Sequence, residues 1–423
     1  VNAPSDAPPP ANIGVKAAAQ PAGGVWSRWS SRLIGLFTLA LIVSTWPMWW
    51  ASGDYPCILF FDVLQSVPRS VDRVLAVGLC ASAAVLVLGG SRCGRFAWGG
   101  YLIALGGLCL LDQHRFQPWA WLFWLEAAAI ASLGPRQSQP AIRWLVISLY
   151  VWSAASKLDV SFLQERGPWL LGGLLQGLGL EPAMIPAAKL QRLAWLLPIG
   201  ELVTAAALSV PSTRRYGVWL ATALHTALLI ALGPLGHNHH AGVLLWNLFF
   251  LCQNPILFGS RLDDRAADQD RGVSIATVVG RGLLFTAIVA PALEPLGLYD
   301  HWPAWSVYSD RPEIVRVSIR DQDRDHLPAG LTASPPAPLS DWCDIRWDDW
   351  SFRTRRCPVY PQGRYRLALA RWLAGRLPAG TPVRVLVEST PDRWTGKRAR
   401  VEFPDREALE NALKRFWLGT ASR

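Results

Sequence analysis

The chain has 423 residues, of which 51% are hydrophobic and only 17% charged, and it carries 23 Trp and a formal net charge of +10. A typical soluble domain is roughly 25% charged, so this composition excludes an ordinary soluble globule and points to a membrane. The basic excess lies mostly in short loops and in the C-terminal tail, where it sets orientation in a bilayer and does not imply nucleic acid.

Residues 1–24, "VNAPSDAPPPANIGVKAAAQPAGG", are rich in Ala, Pro and Gly without apolar periodicity, which predicts a disordered arm over about residues 1–30. The first apolar run, "RLIGLFTLALIVSTWPMWW", ends in residues too bulky for a signal-peptide cleavage site, so it is expected to stay as an uncleaved helix. Runs bounded by charge or Pro predict nine spans, near 33–50, 71–90, 95–111, 118–134, 142–157, 190–211, 215–234, 240–258 and 273–294. Residues 31–296 are thus expected to form an all-α polytopic bundle in the cell membrane. Trp and Tyr crowd the ends of the runs, as in "QPWAWLFW", where amphipathic rings suit the headgroup layer. Alternate loops hold Lys16, Arg28, Arg32, Arg92, Arg95, Arg136, Arg143, Arg214, Arg215, Arg261, Arg265 and Arg271, whereas "GPLGHNHH" has no Lys or Arg. This asymmetry predicts a cytoplasmic N-terminus and an extracytoplasmic C-terminus.

After residue 300 the pattern changes. "PEIVRVSIR" and "TPVRVLVEST" alternate β-branched and polar residues as strands do, while "RYRLALARWLAGRL" and "DREALENALKRFWL" have helical periodicity. Residues 300–423 are expected to be a small extracytoplasmic α+β domain outside the membrane. Of the seven Cys, Cys343 and Cys357 fall in this region, and an oxidising compartment would pair them as a disulfide. No CxxC and no zinc-ligand spacing occurs, so no metal is expected.

Strongly polar side chains inside membrane spans are costly and usually face the bundle interior. Glu126, Glu201, His225 and Asn247 fall in one layer, at depths of roughly 12–18 Å from the extracytoplasmic ends of their runs at 1.5 Å per residue. Above that layer lie Lys157 and Asp159 in "SKLD", Asp112 and His114 in "LDQHRFQPW", and His237, Asn238, His239 and His240 in "GHNHH". The fourth to eighth spans would then converge on an outward-opening polar funnel. The competing reading is structural: Glu201 pairing with a donor such as His225, Glu126 and Asn247 joining helices, the His run forming a cavity rim. Lys157 is open in the same way. Its ammonium can snorkel to water as an anchor, or it can point inward and lose its proton to become a base.

The segments "LDQHRFQPWAWLF", "YVWSAASKLDVSFLQERG", "PIGELVTAAAL" and "HTALLIALGPLGHNHHAGVLLWNLFFL" together resemble the HTTM superfamily, polytopic membrane proteins related to vitamin K-dependent gamma-carboxylase. In the carboxylase a K-L-D segment ends a span and supplies the base. The resemblance implies Lys157 as base assisted by His114, acting on a lipid-soluble quinol-like substrate in an epoxidase- or carboxylase-like reaction. A quinone or vitamin K-like hydroquinone would be its only redox cofactor. Asp159, Glu126, Glu201, His225, His237, His239 and Asn247 would line the cavity. The region after residue 300 is smaller than the carboxylase's lumenal part, so propeptide recognition is not implied. The alternative is a non-catalytic membrane-anchored protein whose C-terminal domain binds an extracytoplasmic protein partner.

Overall fold

The computed structural model describes residues 25–50, 55–89, 94–259 and 274–423. The expected arm over 1–24 and Cys93 lie outside them, as do Lys16, Arg92, Arg261, Arg265 and Arg271. The N-terminal half is helical: α1 (Val25–Ser44), α2 (Trp46–Trp50), α3 (Ser70–Leu88), α4 (Gly94–Leu111), α5 (Pro118–Lys157), α6 (Gly167–Gly177), α7 (Ala187–Leu193), α8 (Leu196–Ser209), α9 (Arg214–Leu232), α10 (Ala241–Gly259) and α11 (Ile275–Val289). Helix α1 thus starts inside the stretch expected to be disordered up to residue 30.

The packing runs as a closed ring. Helix α4 lies on α3, α3 on α1, α1 on α10, α10 on α9, α9 on α8, α8 on α5, and α5 returns to α4, while α6 attaches through α9 and α11 through α5. Aromatic rings fill the middle, Phe249 sitting 5.4 Å from Phe37 and 4.5 Å from Phe123. The outer faces are apolar as well: Val74 on α3 is 69% exposed and Phe285 on α11 is 68% exposed. Neighbouring exposed residues Val77, Val278 and Val279 extend these faces. Apolar faces of this extent need hydrocarbon around them.

Among the described residues five helical segments are long and apolar enough to cross a membrane: Ser70–Leu88, Ala187–Ser209, Arg214–Leu232, Ala241–Gly259 and Ile275–Leu296. A sixth arises if Gln137–Lys157 and Phe162–Gly177, bent by 92°, count as one. The expected nine are therefore not reached. The apolar helices Trp29–Ser44 and Phe96–Leu111 are shorter than the roughly 20 residues a full crossing takes. The 118–134 and 142–157 runs are two helical segments, joined end to end within α5 across a kink at Gly134, whose φ of 76° suits a residue without Cβ.

The C-terminal part holds a four-stranded antiparallel sheet in the order β2-β1-β3-β4, from β1 (Ile314–Arg320), β2 (Trp342–Asp344), β3 (Val383–Glu388) and β4 (Arg400–Phe403). Helices α12 (Trp347–Arg355), α13 (Gly363–Arg376) and α14 (Arg406–Leu413) accompany it. Val315, Val317, Ile319, Val383 and Val385 pack with Leu369 and Leu373 of α13 in a second core, separate from that of the bundle. The expected Cys343–Cys357 disulfide is absent, and all six described cysteines are free thiols. Cys343 is buried in the sheet core, 3.3 Å from Asp321 Oδ1, whereas Cys357 belongs to the bundle core, 3.5 Å from Met48 Sδ. Two thiols in different cores cannot meet.

Polar side chains join the two parts. Arg393 Nη1 donates to Ala155 O at 2.8 Å, and Arg355 donates to Met48 O at 3.2 Å and Tyr55 O at 3.0 Å. Asp72, at the start of α3, is fully buried and takes Arg115 at 2.5 Å on one oxygen and Arg423 on the other. His301, buried in the connector, bonds Glu294 at 2.8 Å and Glu313 at 3.4 Å. Burial alone would lower its pKa, but the hydrogen bonds to Glu294 and Glu313 prevail and hold it up at about 9.

Asp72→Asn removes the charge shared by two buried guanidinium groups and is expected to destabilise the protein by about 3–5 kcal/mol, read by thermal unfolding in detergent micelles. The His301 contacts give a pH signature. Because the folded pKa lies above the ordinary value of about 6.5, their contribution is complete below that pH and is lost as pH rises through about 9. Unfolding followed from pH 6 to pH 10 should show this loss in the wild type, and His301→Gln should flatten it.

Candidate functional site

The bend after α5 creates the site. Lys157 is the last residue of α5, and Asp159 two residues on caps the next turn by accepting from Ser161 N at 2.8 Å. Asp159 also faces Arg311 at 3.5 Å, which ties the bend to the C-terminal part. Helix α6 leaves at 92° and packs on α9, where Gly173 lets it approach. A Cβ there would collide with the His237 ring and the Ala231 carbonyl. The ring of His237 stacks on Trp169 at 4.0 Å and bonds Trp169 O at 2.7 Å.

Between α5, α6, α8, α9 and α10 this leaves a cavity of about 140 Å³. Its walls are mainly leucine, including Leu149, Leu170, Leu174, Leu197, Leu224 and Leu228. Leu196, which also lines it, is 60% exposed, so part of the cavity wall also belongs to the apolar outer surface.

Two polar groupings face the interior. In the first, Lys157 Nζ lies 3.0 and 3.1 Å from the two Glu201 carboxylate oxygens, 2.6 Å from Ser153 Oγ and 3.1 Å from Ser153 O. Ser153 Oγ in turn donates to Glu201 Oε1 at 3.2 Å. The three ammonium protons are thus committed within the protein. In the second, Asn254 Nδ2 donates to Tyr150 Oη at 2.8 Å, Tyr150 Oη lies 2.8 Å from His225 Nε2, and His225 Nδ1 lies 2.9 Å from Asn247 Oδ1. Asn247 Nδ2 finishes the chain by donating to Val243 O at 2.9 Å. The direction is fixed at that end. With Asn247 Oδ1 accepting, His225 carries its proton on Nδ1 and accepts from Tyr150 through Nε2.

The structure therefore brings Lys157, Glu201, His225 and Asn247 to one cavity and leaves the other candidates elsewhere. Glu126 is buried against Gln253 of α10. His114 does not line the cavity: it sits in the seam with the C-terminal part, 2.8 Å from Pro358 O and 3.4 Å from Cys357 Sγ, between the rings of Tyr55 and Tyr365. Burial pushes its imidazole down to about 4, against the raising effect of Asp112, so it is neutral at pH 7. His239 and His240 line a neighbouring cavity of about 260 Å³ toward the C-terminal part. Tyr150, Ser153 and the cavity-lining Trp305 and Tyr308 escaped the sequence reading. The first two had a signal, since Tyr150, Ser153 and Lys157 follow at i, i+3 and i+7 on one helical face.

A multi-pass helical bundle with a buried ion pair facing an apolar cavity defines an integral membrane protein. One family model, described as methylamine utilisation protein MauE, a membrane protein family, matches residues 125–240, so the chain is similar to that family over less than a third of its length. The matched segment contains Tyr150, Ser153, Lys157, Glu201 and His225. The HTTM resemblance is overturned: no HTTM or carboxylase family model matches. Its main motif has a local cause, because "SKLD" is a helix corner in which Lys157 turns inward and Asp159 caps the following turn. No curated protein and no solved structure matches the chain.

Lys157→Met or Glu201→Gln alone leaves one buried partner without its counterpart and is expected to cost about 3–5 kcal/mol. The double change Lys157→Met/Glu201→Leu should cost less than either single one, as measured by unfolding in detergent. Additive losses would show that the pair does not act as a unit.

Proposed function

We propose that this integral membrane protein binds a lipid-soluble molecule whose head occupies the Lys157–Glu201 cavity and whose apolar part reaches the bilayer at Leu196. The observation that carries this reading is the cavity's makeup: leucine walls, a polar end of zero net charge and a wall residue, Leu196, that is also exposed on the apolar outer surface. Small-molecule sites are mostly apolar with a few convergent polar groups. The volume also agrees, since an apolar cavity of roughly 150 Å³ takes a benzene ring. Lys157 serves here as half of an ion pair that sets the polarity of the head site, and the carboxylase-type reaction goes with the resemblance that suggested it. From the matched family, named for methylamine utilisation, the reading takes only the shared membrane segment.

The reading includes orientation. Arg143 donates to Leu257 O at the C-terminal end of α10, and Arg214 begins α9. Both lie at the end of the bundle away from Lys157 and the C-terminal part. Cations concentrate on the cytoplasmic side, so the cavity mouth and residues 300–423 would face the extracytoplasmic side.

In lipid nanodiscs, ethylbenzene at about 100 times its dissociation constant should stabilise the protein by about 2.7 kcal/mol. Ala227→Phe, which fills the cavity from α9, should remove the shift. An equal shift in wild type and variant places the compound elsewhere and defeats the reading.

A further inference from the structure

The polar groups contributed by the bundle are largely spent on one another. Lys157 and Ser153 give their protons to Glu201 and to the α5 backbone, and Asn254, Tyr150, His225 and Asn247 form a chain that ends on Val243 O. Two other lining groups differ. Trp305 is 1% exposed, and its indole nitrogen has no hydrogen-bond partner among the described residues. The Tyr308 hydroxyl is likewise buried without a partner among them.

Both belong to one turn between the bundle and the sheet, and both hold left-handed backbone, at φ 63° and φ 58°. Neither is glycine, so the conformation is costly and needs the surroundings to enforce it. Hydrogen bonds within the turn do so: Trp305 N to Trp302 O at 3.0 Å, Ser306 N to His301 O at 2.9 Å and Val307 N to Trp305 O at 2.8 Å. The strained backbone brings Trp305, Val307 and Tyr308 onto the wall of the Lys157–Glu201 cavity. Val307 and Tyr308, with Trp246 of α10, also line the second cavity, so the turn partitions the two.

We propose that this turn is the recognition element of the cavity, and that the Trp305 indole selects ligands whose ring-sized head carries a neutral hydrogen-bond-accepting oxygen of the carbonyl kind. This rests on the cavity being a ligand site, as proposed above. An indole N–H only donates, so a ligand satisfies it only by offering an acceptor. A buried donor left unmade is costly, which sets an accepting head apart from a hydrocarbon of the same shape. The acceptor is neutral because Glu201 already offsets Lys157 and the leucine walls give an anion no other counter-charge. A site built around a hydrogen bond rejects an isostere lacking the group far more strongly than an apolar pocket rejects a missing methylene.

Acetophenone and α-methylstyrene test this, because they differ mainly in C=O against C=CH₂. Titration calorimetry of the full chain in nanodiscs, referenced to empty nanodiscs, should show wild type binding acetophenone roughly tenfold more tightly. Trp305→Phe keeps a ring and removes the donor, and it should remove most of the preference, with α-methylstyrene affinity unchanged. Tyr308→Phe, which deletes only a hydroxyl, gives a second reading and should lower the ratio in part, including where Trp305→Phe does not fold. Equal wild-type affinities for the two compounds overturn recognition by an acceptor while leaving the cavity as a binding site. Binding of neither compound overturns the cavity reading and this inference together. A wild-type ratio kept in both variants, or an equal loss of both compounds in Trp305→Phe, overturns the role of the turn.

Discussion

Inside a membrane bundle no bulk water satisfies a polar group, so buried polar side chains pair within the protein, several of them across two helices. The packing of this protein follows from that constraint. Helix α5 supplies one member of three such arrangements: Glu126 meets Gln253 of α10, Tyr150 meets His225 of α9, and Lys157 meets Glu201 of α8. Those contacts fix the rotation of both halves of α5 about its axis. Helix α10 is fixed in turn by Asn247, Gln253 and Asn254, which face α9 or α5. The aromatic core around Phe249 supplies area without direction, and the polar pairs choose the register in which that area is buried.

The same constraint explains how the sheet-bearing part is attached. Where α1, α2 and α5 end, near residues 44–59 and 155–158, backbone carbonyls are left without helical partners. Side chains from the C-terminal part and the seam supply the donors: Arg355 to Met48 O and Tyr55 O, Arg115 to Met48 O, Arg393 to Ala155 O, and Gln113 to Leu59 O and Gly419 O. Arginine suits this task because its planar fork serves several acceptors at once. The result is a lid of backbone and guanidinium over one end of the bundle, and the Trp305 turn is the part of the lid that reaches down into the cavity.

Much of this was legible in the sequence where the determinant is local. The apolar runs marked the helices, the alternation in "PEIVRVSIR" and "TPVRVLVEST" marked β1 and β3, and equal depth brought Glu201, His225 and Asn247 together. Depth failed for Glu126 because it says nothing of helical phase. Glu126 turns to Gln253, a neighbour that no depth count includes. Sequence proximity failed for Cys343 and Cys357, which are near in the chain but belong to different cores. Trp305 and Tyr308 gave no signal of the turn they form, since a left-handed turn is normally announced by Gly or Asn and here is held on bulky residues by hydrogen bonds within the turn. The "SKLD" motif misled for the opposite reason. An inward Lys followed by a capping Asp is what a sharp corner between two membrane helices calls for, so it can arise without common ancestry.

An ion pair is an expensive way to make a cavity polar, because desolvating both charges offsets much of their attraction, and apolar residues of similar volume often serve stability as well or better. Stability therefore does not account for Lys157 and Glu201. What the pair does supply is a strong dipole with zero net charge, rigidly held by Ser153, at the inner end of a leucine-walled space. An uncompensated lysine there would draw anions and an uncompensated glutamate would draw cations. The pair attracts neither, as the proposed binding of a neutral polar head requires. The 92° departure of α6 completes the arrangement, because α6 turns aside to pack on α9 and supplies Leu170, Leu171 and Leu174 to the cavity wall. The charged pair and the bend thus make sense together: one gives the cavity its polar end, and the other supplies part of its leucine wall.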